Sequence, residues 1–235
     1  EKIESTNFEE VPFKHLHIKD FFSAEHFEIL TNDPQIKRPI AENTRELITD
    51  LETAGYNIQS FAGSIVSVDD YINYLNDKSS FDSNLLVGQG VKILKGYGLT
   101  LRMVEHRSKF LKDLINFMNS DEFINGVKKK FGIVRETRVE SAYQKNLTGY
   151  NLNPHPDMRN KALTYMANIY TEPDSNKENF HTHFMEFDEK YSYVEKFWRH
   201  NTDVETCWVP WEWCKTVKKT SQNNSISFFK PSSDT

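Results

Sequence analysis

The sequence predicts a single α+β domain spanning residues 1–235. Helical apolar spacing dominates the chain up to Gly132, whereas short β-rich runs separated by turns dominate the remainder. A chain of 235 residues can bury one sizeable core, and no internal repeat divides it. Short strands that follow a group of helices favour a sandwich or barrel with the helices packed on one outer face.

A strand and then a helix are predicted at the start of the chain. Apolar and polar residues alternate over residues 12–22, and Ser23 is a favourable N-cap for a helix over residues 24–30. His15 and His17 share one face of this strand. Because no carboxylate lies beside them in sequence, we interpret both as surface or structural residues.

Residues 32–100 give mixed signals and form an insertion-rich region. Helical patterns appear at residues 44–53 and 69–75, and a connection rich in Gly, Ser and Asn covers residues 79–98. This region carries no motif that we can assign to a function.

Two consecutive helices precede the β-rich part of the chain. Residues 108–118 have helical apolar spacing, and Ser120 starts a second helix that stops at Gly132. The β core is then predicted over residues 133–235. Its strand candidates are residues 133–145, 149–155, 161–170, 179–187, 205–211 and 225–229.

The charge balance argues against nucleic acid and membrane partners. The chain has 29 Lys and Arg against 34 Asp and Glu, without a long run of either sign that would attract phosphate backbones or anionic lipid. Residues 1–10 lack the apolar core of a secretory signal, and no segment approaches the roughly 18 apolar residues of a membrane span. The sequence therefore predicts a soluble cytoplasmic protein.

The segment Asn-Pro-His-Pro-Asp over residues 153–157 is the candidate for chemistry. In an extended backbone the side chains of residues i and i+2 project to the same side, so His155 and Asp157 can present an imidazole and a carboxylate to one ion. A second histidine would complete the 2-His-1-carboxylate face of non-haem iron oxygenases. The bracketing prolines are equally compatible with a turn in which Asp157 caps local amides and His155 is exposed.

A wider pattern surrounds this pair: Pro154-His155-x-Asp157-x-x-x-Lys161-x-x-Thr164. Upstream stand Tyr143 and the turn at 148–150. An opening strand lies at 12–22, and a final strand at 225–232. The set resembles the 2-oxoglutarate and Fe(II)-dependent oxygenases of the prolyl 4-hydroxylase-like group. The matching pieces lie between residue 12 and residue 232, but residues 32–100 match nothing in that group.

This resemblance implies a double-stranded β-helix, or jelly roll, with supporting N-terminal helices packed on one sheet. It implies Fe(II) bound by His155 and Asp157, 2-oxoglutarate as co-substrate, and ascorbate as an accessory reductant. Tyr143, Thr164 and Lys161 correspond to positions around the co-substrate pocket. The expected reaction is hydroxylation of a prolyl or other amino-acid carbon, in a peptide, a protein or a small amino-acid-like substrate. Tyr143 and Thr164 can instead simply occupy strand positions that they favour.

The family pattern also requires a second histidine and then an Arg or Lys that pairs with the distal carboxylate of 2-oxoglutarate. We expect both beyond Thr235, on a longer polypeptide. Two alternatives remain open. The domain can be a catalytically inactive jelly roll that binds a partner, or His181 and His183 can join His155 and Asp157 in a metal-dependent hydrolase or cupin-like enzyme. Trp208, Trp211 and Trp213 can line the mouth of the site or serve only in packing.

Overall fold

The structure is a computed structural model that describes residues 1–60, 65–77, 98–172, 181–204 and 207–230. It confirms the α+β class: helices combine with three small antiparallel sheets in the order β1-β8-β5, β2-β3-β4 and β6-β7. The elements are α1 Lys2–Ser5, β1 His15–Ile18, α2 Ala24–Asn32, α3 Thr44–Thr53, β2 Tyr56–Ile58, α4 Val68–Asn76, β3 Thr100–Met103, α5 Lys109–Met118, α6 Asp121–Phe131, β4 Gln144–Asn146, β5 Thr164–Asn168, β6 Thr182–Phe187, α7 Ser192–His200, β7 Cys214–Thr220 and β8 Ser225–Phe229. Among these elements, no helix has the length and apolar character needed to cross a bilayer.

Polar side chains start the helices α2 to α6. In each case the capping oxygen accepts a hydrogen bond from a backbone amide three residues further on, which satisfies an amide that the helix leaves unpaired. The caps are Ser23, Asn43, Ser67, Ser108 and Ser120. Helix α6 ends at Gly132, whose φ of +65° lies in the left-handed region. The predicted helices at 24–30, 44–53, 69–75, 108–118 and 120–132 are thus confirmed within one or two residues.

The first hydrophobic core joins α2 to α5 with the sheet β2-β3-β4. Ile48 and Leu51 of α3, Tyr56 of β2, Tyr71 of α4 and Leu101 of β3 are all almost completely buried in it. Residues 32–60 and 65–77, within the region that the sequence left unassigned, therefore supply much of the core. The predicted connection at 79–98 lies outside the described residues except for Gly98.

The second core lies on one face of the sheet β1-β8-β5. Leu16 of β1 and Phe228 of β8 pack there against Phe123 and Val127 of α6. Strand β8 is central and antiparallel to both neighbours, so that Phe229 is opposite His15 on one side and opposite Thr164 on the other. This register places Thr164, the first residue of β5, beside the last residue of β8.

The two-stranded sheet β6-β7 covers part of the opposite face; its strands are joined through α7. The Phe184 ring of β6 lies 4.6 Å from the ring of His15 and 5.6 Å from the ring of Phe229, measured between centroids. A register shift follows Phe184 in this sheet. Within the described residues these layers form separate sheets and do not close into a barrel or a jelly roll.

The strand predictions were less accurate than the helix predictions. Residues 149–155 form an irregular segment with a single isolated bridge at Asn151, and residues 207–211 form no strand. The prolines explain this, because an imide nitrogen cannot donate to a sheet ladder. Residues 179–180 and 205–206 of two other predicted strands lie outside the described part of the chain.

Candidate functional site

The segment over residues 153–157 is a loop between β4 and β5 and not part of a strand. Pro154 and Pro156 alternate with His155 and Asp157, so two of these five residues have no amide proton for a ladder. The expected extended-strand geometry is therefore absent here. The positions of the His155 imidazole and the Asp157 carboxylate must therefore depend on contacts between the loop and its surroundings.

The His155 ring is fixed at one nitrogen. Its Nδ1–H donates to the backbone carbonyl of Asn153 at 2.7 Å. Burial lowers the pKa of His155 below its usual value, although the Asn153 carbonyl and the Asp157 carboxylate act in the opposite direction. In the neutral ring, Nε2 then carries the lone pair, which is the tautomer of a histidine that binds a metal through Nε2.

Trp208 covers one face of the same imidazole. The two rings are stacked, with centroids 3.8 Å apart and an interplanar angle of 20°. Two hydrogen bonds join these segments: the Val209 amide donates to the Pro154 carbonyl at 3.1 Å, and the side-chain Nδ2 of Asn153 donates to the Val209 carbonyl at 3.0 Å. The histidine is thus held from both the ring face and the main chain.

The carboxylate of Asp157 has a partner at each oxygen. Lys161 Nζ donates to Oδ1 at 2.9 Å, and the Thr164 hydroxyl donates to Oδ2. The Asp157 side chain is 15 % exposed, against 44 % for Lys161. Because Thr164 is the first residue of β5, its hydroxyl fixes the Asp157 carboxylate to one end of the sheet β1-β8-β5.

Arg159 fixes the loop at a further point. Its guanidinium donates to the carbonyls of Trp198, of Asn201 at 3.4 Å and of Val204 at 2.8 Å. The guanidinium carbon also lies 3.7 Å from the centre of the Trp198 ring, in a cation–π contact. Several carbonyls near the C-terminal end of α7 are therefore satisfied by a residue of the loop.

Tyr143 is in a different environment. It is buried, its hydroxyl donates to the Leu111 carbonyl at 3.1 Å, and its ring contacts the ring of His106 at 5.6 Å between centroids. Burial raises the pKa of Tyr143 far above its usual value. Of the predicted site residues, Asp157, Lys161 and Thr164 are thus in direct contact. His155 lies two residues from Asp157 and contacts Asn153 and Trp208, whereas the Tyr143 hydroxyl belongs to the first core.

His181 and His183 form a separate pair. Their ring centroids are 5.8 Å apart, His183 Nδ1 is 2.9 Å from the Thr216 hydroxyl, and the Trp211 ring contacts the His183 ring. In the described part of the chain, no group of three or more His, Cys, Asp or Glu side chains is placed to hold a metal. The pair does not complete a four-residue cluster with His155 and Asp157.

Comparison of the chain with protein-family models, with curated proteins and with solved structures found no match. The case for a function therefore depends on the geometry of the chain's own residues. Sequence reasoning selected the His155 and Asp157 pair and named Trp208 only as a residue that can line the site mouth or serve in packing. It missed Arg159 as the link to α7. The prolines left both an extended segment and a turn open, and no signal in the sequence names the distant partners of this loop.

Proposed function

We propose that this protein is an Fe(II)- and 2-oxoglutarate-dependent dioxygenase that hydroxylates a C–H bond of a prolyl or other amino-acid residue. One observation carries the proposal: His155 donates from Nδ1 to a backbone carbonyl, which leaves Nε2 for a metal, and Asp157 follows two residues later in the same fixed loop. Metal-binding histidines characteristically donate their second ring nitrogen in this way.

The donor set suits the metal. A neutral imidazole nitrogen and a carboxylate are ligands that Fe(II) accepts, and the carboxylate is kept in place by Lys161 and Thr164 as outer partners. When bound, Fe(II) with 2-oxoglutarate and O2 supplies the oxidative chemistry that converts a C–H bond to an alcohol. Within the proposal, His155 and Asp157 hold the ion.

The chain's own contribution is orientation. Trp208 and the Asn153 carbonyl fix the imidazole, and they restrict water around it because the ring face is covered. The Lys161 ammonium partly balances the negative charge of Asp157 when no metal ion is bound. Thr164 holds the second oxygen at the start of β5. Under this proposal Lys161 and Thr164 act on the ligand Asp157.

The proposal also requires a second histidine as the third ligand and a basic residue for the distal carboxylate of 2-oxoglutarate. In the described part of the chain, no third ligand is placed beside His155 and Asp157. The jelly roll is likewise a proposal. It is supported by the packing of the two-stranded sheet β6-β7 on the open face of β1-β8-β5 through Phe184.

The experiment is an anaerobic Fe(II) titration of the full-length polypeptide, followed by measurement of succinate release from 2-oxoglutarate in air. We expect tight Fe(II) binding and release of succinate by the wild type. Asp157→Ala removes the only carboxylate ligand and is expected to abolish release. Asp70→Ala, which removes an exposed carboxylate on α4, is the matched control and should behave as wild type. Absence of metal uptake by the wild type would instead support the binding module.

A further inference from the structure

The sheet β6-β7 packs against the sheet β1-β8-β5 through a small set of contacts. The Phe184 ring lies 4.6 Å from the His15 ring and 5.6 Å from the Phe229 ring, measured between centroids. In the described part of the chain, the side-chain hydrogen bonds that join the two layers come from Lys218 of β7. Residues 221–224 connect β7 directly to β8. The sheet β6-β7 is therefore a cover that can pivot at this connection.

The covered face also carries one residue of the candidate site. His15, Phe229 and Thr164 are direct neighbours across the three strands, so their side chains project from one face of the sheet. Thr164 holds the Asp157 carboxylate from this row. Movement of the sheet β6-β7 would therefore change how water and solutes reach the face from which Asp157 is held.

His15 is the acceptor in the polar contact between the layers. Its Nδ1–H donates to the Phe13 carbonyl at 2.7 Å, so Nε2 of the neutral ring carries a lone pair. The Lys218 ammonium donates to this Nε2 at 3.2 Å and also to Oε2 of Glu9. The contact with β7 thus requires an uncharged imidazole.

A proton on Nε2 of His15 reverses this contact. Two donors and two positive charges would then face each other at 3.2 Å, beside a ring that is fully buried against Phe184. Oε2 of Glu9 lies 3.6 Å from the same Nε2 and can accept the new N–H. The Lys218 side chain is 23 % exposed and can turn its ammonium into solvent. The charged imidazole therefore loses its link to β7.

The pKa of His15 lies below its usual value. Burial is the main cause, the Phe13 carbonyl acts against burial, and Lys218 lowers the pKa further. The strands β6 and β8 present uncharged phenyl rings to the imidazole. The titratable groups around it are Glu9 and Glu10 ahead of β1, His17 within β1, and Lys218 of β7. Because burial is the main cause, protonation becomes more favourable when the ring gains contact with water.

We propose that protonation of His15 releases the sheet β6-β7 from the sheet β1-β8-β5, which makes β6-β7 an acid-operated cover over the face that carries Thr164. In the released state Glu9 accepts from the charged ring and Lys218 is solvated. The released state binds one proton that the closed state excludes, so acidification favours release by up to about tenfold per pH unit. This dependence applies between the ordinary histidine pKa near 6.5 and the lowered pKa of His15 in the closed state.

The test is amide hydrogen exchange of the metal-free full chain at pH 7.5 and pH 5.5, read by mass spectrometry and corrected for the intrinsic exchange rate at each pH. We expect peptides from β6 and β7 to lose about tenfold in protection relative to peptides from α3 and β2, which belong to the first core. Unchanged protection of β6 and β7, or equal losses in all four elements, would overturn the proposal.

Two variants of β7 test the role of Lys218. Lys218→Met removes the ammonium that opposes the charged ring, so the closed state accepts the proton more readily and the loss of protection should fall from about tenfold to about threefold. Lys215→Met lies on the same strand and breaks an ion pair with Glu186 that does not involve His15. It should keep the tenfold loss, and equal responses of the two variants would contradict the assigned role of Lys218.

A second pair of variants tests the imidazole itself. His15→Gln keeps an acceptor for Lys218 but binds no proton, so the loss of protection at pH 5.5 should disappear. His200→Gln, at an exposed position of α7, should respond as wild type. A wild-type response of His15→Gln would refute the switch, and if this variant does not fold, the two lysine variants decide. Since neither a metal ion nor 2-oxoglutarate is present, these outcomes are independent of the proposed oxygenase activity.

Discussion

Trp208 lies flat against His155, with 3.8 Å between the ring centroids. The contact joins two segments that meet only in the folded chain, and it closes one side of the imidazole to solvent. A metal ligand on a loop needs this kind of support, because misorientation of the ring costs affinity. The stack therefore gives the first prediction.

Under the proposed function, Trp208→Ala should weaken Fe(II) binding about tenfold or more, because the imidazole of His155 gains rotational freedom and water access. Trp208→Phe keeps a stacked ring and should lose much less affinity. The measurement is an anaerobic metal titration. Trp213→Ala, which removes a ring stacked on Tyr191, is the control for the general loss of an aromatic residue. Equal affinities of the Ala and Phe variants at residue 208 would show that the stack does not position the ligand.

Thr164→Val should lower the free energy of unfolding by about 1–2 kcal/mol, because the Asp157 carboxylate loses a hydrogen bond at a largely buried oxygen. Lys161→Gln should cost less than about 1 kcal/mol, since its ion pair with Asp157 involves a partly exposed lysine. Urea denaturation measures both changes. In an Asp157→Asn background the effect of Thr164→Val should shrink, and an unchanged effect would mean that the hydroxyl stabilises the fold by another route.

The free energy of unfolding should fall as the pH is lowered through about 6.5. Burial lowers the pKa of His15 in the folded protein, so the unfolded chain binds more protons in the window between this lowered pKa and the ordinary value near 6.5. The stabilisation is complete above that window and is lost as His15 becomes charged beside Lys218.

Urea denaturation between pH 5 and pH 8 measures this dependence. His15→Gln should reduce the slope of stability against pH, whereas His200→Gln, at an exposed position of α7, should leave it unchanged. An identical slope in wild type and His15→Gln would assign the pH dependence to other groups. His17, His106 and His183 are candidates, because burial lowers the pKa of each.

Gly55→Ala should destabilise the protein by more than about 1 kcal/mol. Its φ of +95° disfavours an L side chain, and an added Cβ would lie 2.8 Å from Glu105 Cβ and 2.9 Å from the Glu105 carbonyl oxygen. Gly126→Ala is the matched control. It lies inside α6, and apart from its chain neighbours and the backbone of its own helix no atom lies within 4 Å of the added Cβ, so the same change should stabilise by about 0.5–1 kcal/mol. Thermal unfolding of the two variants should therefore shift in opposite directions.

The helices could be predicted from the sequence because their signals are local. Ser120 accepts from the Phe123 amide and Gly132 ends the helix in a left-handed conformation, and these two residues directly flank the eleven-residue α6. The strands depend on distant partners. Strand β7 has no apolar stripe that would reveal it, and it forms because β6 pairs with it.

For the candidate site, too, the sequence indicates contacts between neighbouring residues better than contacts between distant ones. The pairing of Asp157 with Lys161 and Thr164 spans a few residues, and the motif contains all three. The sequence analysis, however, assigned Lys161 and Thr164 to the co-substrate pocket and not to Asp157. The contacts of His155 with Trp208 and of Arg159 with α7 span about forty or more residues and depend on tertiary packing. Tyr143 has a favourable strand residue type, but its hydroxyl is used by the Leu111 carbonyl.

The central position of β8 has a consequence for biosynthesis. His17 and Ser227 touch across 210 residues of intervening chain, and the same strand pairs with β5 beside the candidate site. While a ribosome is still producing the middle of the polypeptide, β1 and β5 have exposed edges and no shared neighbour, so the sheet cannot assemble cotranslationally from its N-terminal part. Nascent chains stalled before Ser225 should consequently be protease-sensitive around β1 and β5 and should recruit chaperones.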